Sequence, residues 1–108
     1  MGYIRHDAIV VTGWDYNRVR KAHNKATELG LIVSGIVESN INGYFSLLIP
    51  PDGSKEGWDE STVGDTRRQE WKEWAKTEKE LWLDWVHINY GGDDPEAINI
   101  VEYGDPEE

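Results

Sequence analysis

The residue types best suited to recognition chemistry lie in and just after one polar loop. Lys55 and Trp58 sit within Asp52-Gly53-Ser54-Lys55-Glu56-Gly57-Trp58, and Arg67 and Arg68 follow. Glycines allow unusual backbone angles, backbone N–H groups and arginines can take an anion, and an indole offers a stacking face for a base. These four residues form a candidate site for a small anionic, nucleotide-like ligand. Neither GxxxxGK[ST] nor GxGxxG occurs, so the spacing matches no phosphate-binding fingerprint. The competing reading folds Trp58 onto the core and pairs the arginines with Glu70, Glu73 or the acidic loop.

Other chemistry-bearing groups are less well spaced. His6, His23 and His87 fall on three separate expected elements without metal-ligand spacing, and His23 reads as a core-edge histidine. Asp93, Asp94 and Glu96 lack the surroundings of an EF-hand and read as a turn. No GxSxG elbow surrounds any serine, there is no cysteine, and Asp59, Glu60 or Asp65 could act as acid or base only if burial shifted one of them. The expectation is a chain without catalytic residues, metal or cofactor, hence not an enzyme. Trp71, Trp74, Trp82 and Trp85 crowd one short region, so either some of them line an interface or pocket, or together they are the core.

The elements that must position these groups follow from hydrophobic periodicity. His6 to Trp14 reads as a strand whose Ile9, Val10 and Val11 leave no polar face, which puts it centrally in a sheet. Asp15 caps a helix to Leu29 with Val19, Ala22, His23, Ala26 and Leu29 on one stripe, and Gly30 ends it. Leu31 to Glu38 and Tyr44 to Pro51 are expected as antiparallel strands joined through Asn42-Gly43, a pair that tolerates positive φ. A loop is expected from Asp52 to Gly64, then a helix capped by Asp65 or Thr66 and running to about Lys79, with Trp71, Trp74 and Ala75 as its apolar stripe. A strand from about Leu83 to Tyr90 comes next, with Leu81 to Trp85 as an alternative helix extension. Ala97 to Tyr103 is the last strand, with Ile98 and Ile100 facing one way.

The resulting order is β-α-β-β-α-β-β. It predicts an α+β fold: one mainly antiparallel sheet with two helices on one face, the ferredoxin-like split βαβ arrangement plus one strand. At 108 residues the chain reads as a single domain, 1–108, with 104–108 a solvated tail. Absence of cysteine suits a reducing compartment, no run reaches membrane-span length, and MGYIRHD lacks the apolar region of a signal peptide. The cytoplasm is the expected location, with no membrane contact.

The net charge of −10 is concentrated in the second half, where residues 52–108 carry 17 acidic and six basic groups. From Glu80 to Glu108 there are nine acidic residues and no Lys or Arg. Such a field repels nucleic-acid phosphate, which disfavours direct nucleic-acid binding, and it attracts basic surfaces. Asp84, Asp93, Asp94 and Glu96 are therefore candidate contacts for a basic protein partner.

The segments HDAIVVTGW, NGYFSLLIPPDGSKEGW and WVHINYGGD resemble those of small accessory proteins carried by bacteriophages, prophages and plasmids, and the resemblance spans most of the chain. It implies counter-defence work in the host cytoplasm: sequestering a nucleotide immune signal, blocking a defence enzyme, or inhibiting a nuclease by presenting acidic surface. Two partners are expected on this basis, a small anionic ligand or a basic host protein. A second subunit could complete a homo-oligomer.

Overall fold

The computed structural model of the chain describes residues 3–104; of the tail expected over 104–108, Gly104 instead closes the last strand, paired with Trp85, and 105–108 lie outside the described residues. The elements are β1 (His6–Gly13), α1 (Tyr16–Glu28), β2 (Val37–Glu38), β3 (Phe45–Ile49), α2 (Asp59–Thr77), β4 (Asp84–Tyr90) and β5 (Ile98–Gly104). They build one five-stranded sheet in the order β2-β3-β1-β4-β5, with every neighbouring pair antiparallel. The first four strands have the split βαβ order expected from the sequence, and β5 extends the edge beside β4.

Alternation along β1 decides where the core lies. Ile9 and Val11 point to the helices, opposite Ile49 and Leu47 on β3 and His87 and Trp85 on β4, whereas Val10 points the other way. Both helices cover that one face: Val19, Ala22 and Ala26 of α1 and Trp71 of α2 complete the buried cluster with Ile9, Val11, Leu47, Ile49 and Trp85. The Trp71 indole N–H donates to the Ala22 carbonyl at 3.1 Å, so the largest core side chain leaves no buried donor unmet. Of the four clustered tryptophans, Trp71 and Trp85 are buried edge-to-face, Trp74 is half-buried and Trp82 is exposed.

Several boundaries differ from expectation for identifiable reasons. The strand expected over Leu31 to Glu38 shrinks to two residues, because Ser34 meets Leu48 instead: its N–H donates to the Leu48 carbonyl and its hydroxyl accepts from the Leu48 N–H. A side chain thus takes a position that a ladder would use. Helix α2 begins at Asp59, not at Asp65 or Thr66, with Trp58 as its N-cap and Asp59 and Glu60 in the first turn, where the helix dipole favours them. The expected loop therefore ends at Trp58, and Asp65 is a mid-helix residue. Helix α2 stops at Thr77, a single 3-10 turn over Lys79–Leu81 follows, and Trp82 takes a left-handed conformation (φ 52°) before β4, so Leu81 to Trp85 does not extend the helix. The hairpin is as expected, with Asn42 and Gly43 at φ 63° and 66°.

Candidate functional site: a carboxylate-rimmed cleft above a buried ion-pair chain

The buried stripe of α2 runs Ser61, Gly64, Arg68, Trp71 and Lys72, so helical spacing puts one apolar residue and two cations on the face turned to the sheet. Arg68 is buried among three carboxylates: its Nη2 lies 2.5 Å from Asp65 Oδ1 and 3.9 Å from Asp7 Oδ2, and its Nη1 lies 3.6 Å from Asp52 Oδ2. One turn on, the Lys72 ammonium lies 2.9 Å from His87 Nδ1 and 3.1 Å from Glu102 Oε1, and Lys76 pairs with the other oxygen of Glu102. An ammonium can only donate, so His87 Nδ1 accepts. His87 Nε2 therefore carries the hydrogen and donates to Asp7 Oδ1 at 2.9 Å. A continuous chain results, Arg68–Asp7–His87–Lys72–Glu102–Lys76, tying β1, β4, β5 and α2 together. Asn89 adds a 3.1 Å bond to Asp7, and its own carbonyl is gripped by Arg5.

The charges respond to this packing. Burial pushes the Asp7 carboxyl up, but hydrogen bonds from His87 and Asn89 and the Arg68 charge outweigh it and hold the group below its ordinary 3.8. Asp52 behaves likewise: burial raises it, and Ser54 and Arg68 bring it below 3.8. At Glu102 burial is outweighed by Lys76 and Lys72. Glu56 goes the other way, raised above 4.5 by burial and by the neighbouring charges of Asp65, Asp7 and Asp52.

Above this chain opens a cleft of ≈ 510 Å³ between the start of α2, the segment after α1 and the segment after β3. Leu31, Ile32, Pro50 and Val63 give it apolar walls, Asp52, Asp59 and Glu60 are its acids, and Arg67 and Arg68 also line it. Gly64 sits inside α2 at the cleft floor, where a Cβ would collide with the Asp52 carboxylate; the absent side chain is what lets Asp52 and Arg68 meet against the helix.

Of the four loop-site candidates, the cleft lining includes Arg67 and Arg68. Arg67 donates to the Gly30 carbonyl at 3.2 Å, just past the C-terminus of α1. Lys55 and Trp58 come together elsewhere, the ammonium 5.8 Å from the ring centroid. Asp84 opens β4, whereas Asp93, Asp94 and Glu96 lie beyond its far end, roughly 20 Å away at about 3.3 Å per residue. Asp93 also accepts from the Ile4 N–H at 2.8 Å. His6 touches the Tyr90 ring and His23 is half-buried on α1.

Sequence reasoning missed Asp7, Lys72, His87 and Glu102. A signal was present: Asp7 shares the alternation of Ile9 and Val11, His87 that of Trp85, and Lys72 stands four residues from Arg68.

No protein-family model and no curated protein matches the chain. Among solved structures, a phage SAM lyase in complex with S-methyl-5′-thioadenosine matches over 94% of this chain and 92% of that one, at 11% identity and a TM-score of 0.37. It is a phage protein. It is also an enzyme, and on that finding the expectation that this chain is not an enzyme is withdrawn. At this likeness no residue and no reaction transfers from one chain to the other. Among the described residues no helix is long and apolar enough to cross a membrane.

Proposed function

We propose that the cleft beside Arg68 binds a small nucleoside-like ligand, recognised through its ring and hydroxyls rather than through phosphate. What supports this reading is the pairing of apolar walls with carboxylates at a site whose buried cation is already surrounded by three acids. The volume falls in the range of small-molecule sites, about 300–1,000 Å³. Leu31, Ile32 and Val63 offer flat apolar contact to a heterocycle, and Asp52, Asp59 and Glu60 offer acceptors to a vicinal diol, the role a carboxylate plays toward ribose in dinucleotide sites. The arginines make the sequence suggest an anion. In the fold Arg68 spends its charge on Asp7, Asp52 and Asp65, and Arg67 donates to a backbone carbonyl, so a phosphate here would meet a net negative surround.

The binding assay should also follow turnover. Titration calorimetry with adenosine, S-methyl-5′-thioadenosine, AMP, ADP-ribose and a cyclic dinucleotide, with chromatography of the recovered ligand, tests the reading. The nucleosides should bind, the phosphorylated ligands should bind about tenfold or more weakly, and Asp59→Asn with Glu60→Gln should weaken nucleoside binding by a similar factor. Tighter binding of the phosphorylated ligands, or no binding across the panel, overturns it.

A further inference from the structure

Helices cover one face of the sheet, and among the described residues no element packs on the other. Antiparallel sheets that face water usually alternate apolar-in and polar-out. Here every strand carries apolar residues at outward positions: Val37, Leu48, Val10, Ile88, Ile100 and Tyr103 point away from the helices, with His6 and the hydrogen-bonded Thr12–Ser46 pair beside them. Val37, Ile100 and Tyr103 are 67%, 69% and 60% exposed, and Val10, on the central strand, is 38% exposed. By register, Asp84 at one rim is the sole Lys, Arg, Asp or Glu on this face among the described strand residues.

We infer that this sheet face is the interface of a homodimer, two copies packing sheet on sheet. Three considerations select a second copy. A molecule of net charge −10 repels its own copy unless contact is made through a surface carrying little charge, and this face is such a surface on a chain that is 30% charged. The strands, two to eight residues long at about 3.3 Å each and about 4.8 Å apart, give a footprint near 450 Å² in projection, and accessible area exceeds projection, to be set against the ~800 Å² per partner of a standard interface. Finally, a sheet apolar on both faces needs a layer on each, and two such sheets stacked about 10 Å apart around a two-fold axis supply the missing layer to one another.

Sedimentation equilibrium of the full chain tests the inference. The wild type should weigh twice its 12.4 kDa, and Leu48→Lys with Ile100→Lys should return it to 12.4 kDa with the far-ultraviolet circular dichroism unchanged. The milder Val10→Thr with Leu48→Thr should weaken association by about tenfold or more and serves if the lysine pair fails to fold. Asn99→Lys, on the helix side of the edge strand, should leave the dimer intact. A wild type monomeric at about 100 μM, well above the micromolar limit for such an interface, overturns the inference. So does a dimer that survives the face substitutions, or one that Asn99→Lys disrupts, since that locates contact at the β5 edge.

Discussion

Arg68 shows how burial redirects a side chain that sequence alone reads as a ligand contact. Free in a loop, a guanidinium seeks phosphate; on the buried stripe of α2 it instead neutralises carboxylates from β1, from the segment after β3 and from its own helix. Arg68→Met should therefore cost about 3–5 kcal/mol at neutral pH in urea unfolding, because it strands Asp7 and Asp52 without their cation. The pH dependence gives the sign. Asp7, Asp52 and Glu102 have folded values below their ordinary ones, so their stabilisation is complete above about pH 4.5 and is lost as pH falls through the depressed values. Glu56, raised above 4.5, contributes oppositely, its share of stability falling as pH rises through the window just above that value. The wild type should thus lose stability on acidification below about pH 4, and the Arg68→Met penalty should shrink there as the stranded carboxyls protonate. A penalty independent of pH would show that the ion pairs do not hold the site.

At the scale of elements, α2 is where the sequence was least legible. Its first two turns, beginning Asp59-Glu60-Ser61-Thr62-Val63-Gly64, have the composition of a loop, and local propensity is overridden by what the helix packs on. Gly64 is the residue that misleads, since a helix-interior glycine usually costs about 1 kcal/mol against alanine and is read as a stop. Here it makes room for Asp52. Gly64→Ala should accordingly yield less than that ~1 kcal/mol, whereas the same change in an Asp52→Ala background should yield all of it. Equal gains in the two backgrounds, measured by thermal or urea unfolding, would remove the steric account. By contrast β1, α1 and the hairpin could be read directly, because Ile9 and Val11, the Asp15 cap bonding the N–H groups of Asn17 and Arg18, and Asn42-Gly43 are each decided by neighbours close in sequence. The strand after α1 could not, because its fate depended on Ser34 meeting Leu48 across the sheet.

For the whole molecule, the two faces of the sheet divide the work. The helix-covered face holds the core, the ion-pair chain and the cleft; the open face carries apolar side chains suited to a second copy. The four clustered tryptophans were expected either to line an interface or pocket in part or to be the core together; Trp71 and Trp85 are buried, Trp74 is half-buried and Trp82 is exposed, so they are not all core. The acids at 84 and at 93–96 were read together as one contact surface, but the length of β4 separates them, which periodicity along a chain does not reveal. If the cleft is where the protein meets its ligand, amide chemical-shift mapping with adenosine will show it. Shifts should be confined to residues 30–32, 52–54 and 59–68, with the strand residues of the open face unmoved. Shifts centred on Lys55, on the 93–96 loop or on the open sheet face, or none at millimolar adenosine, would contradict it.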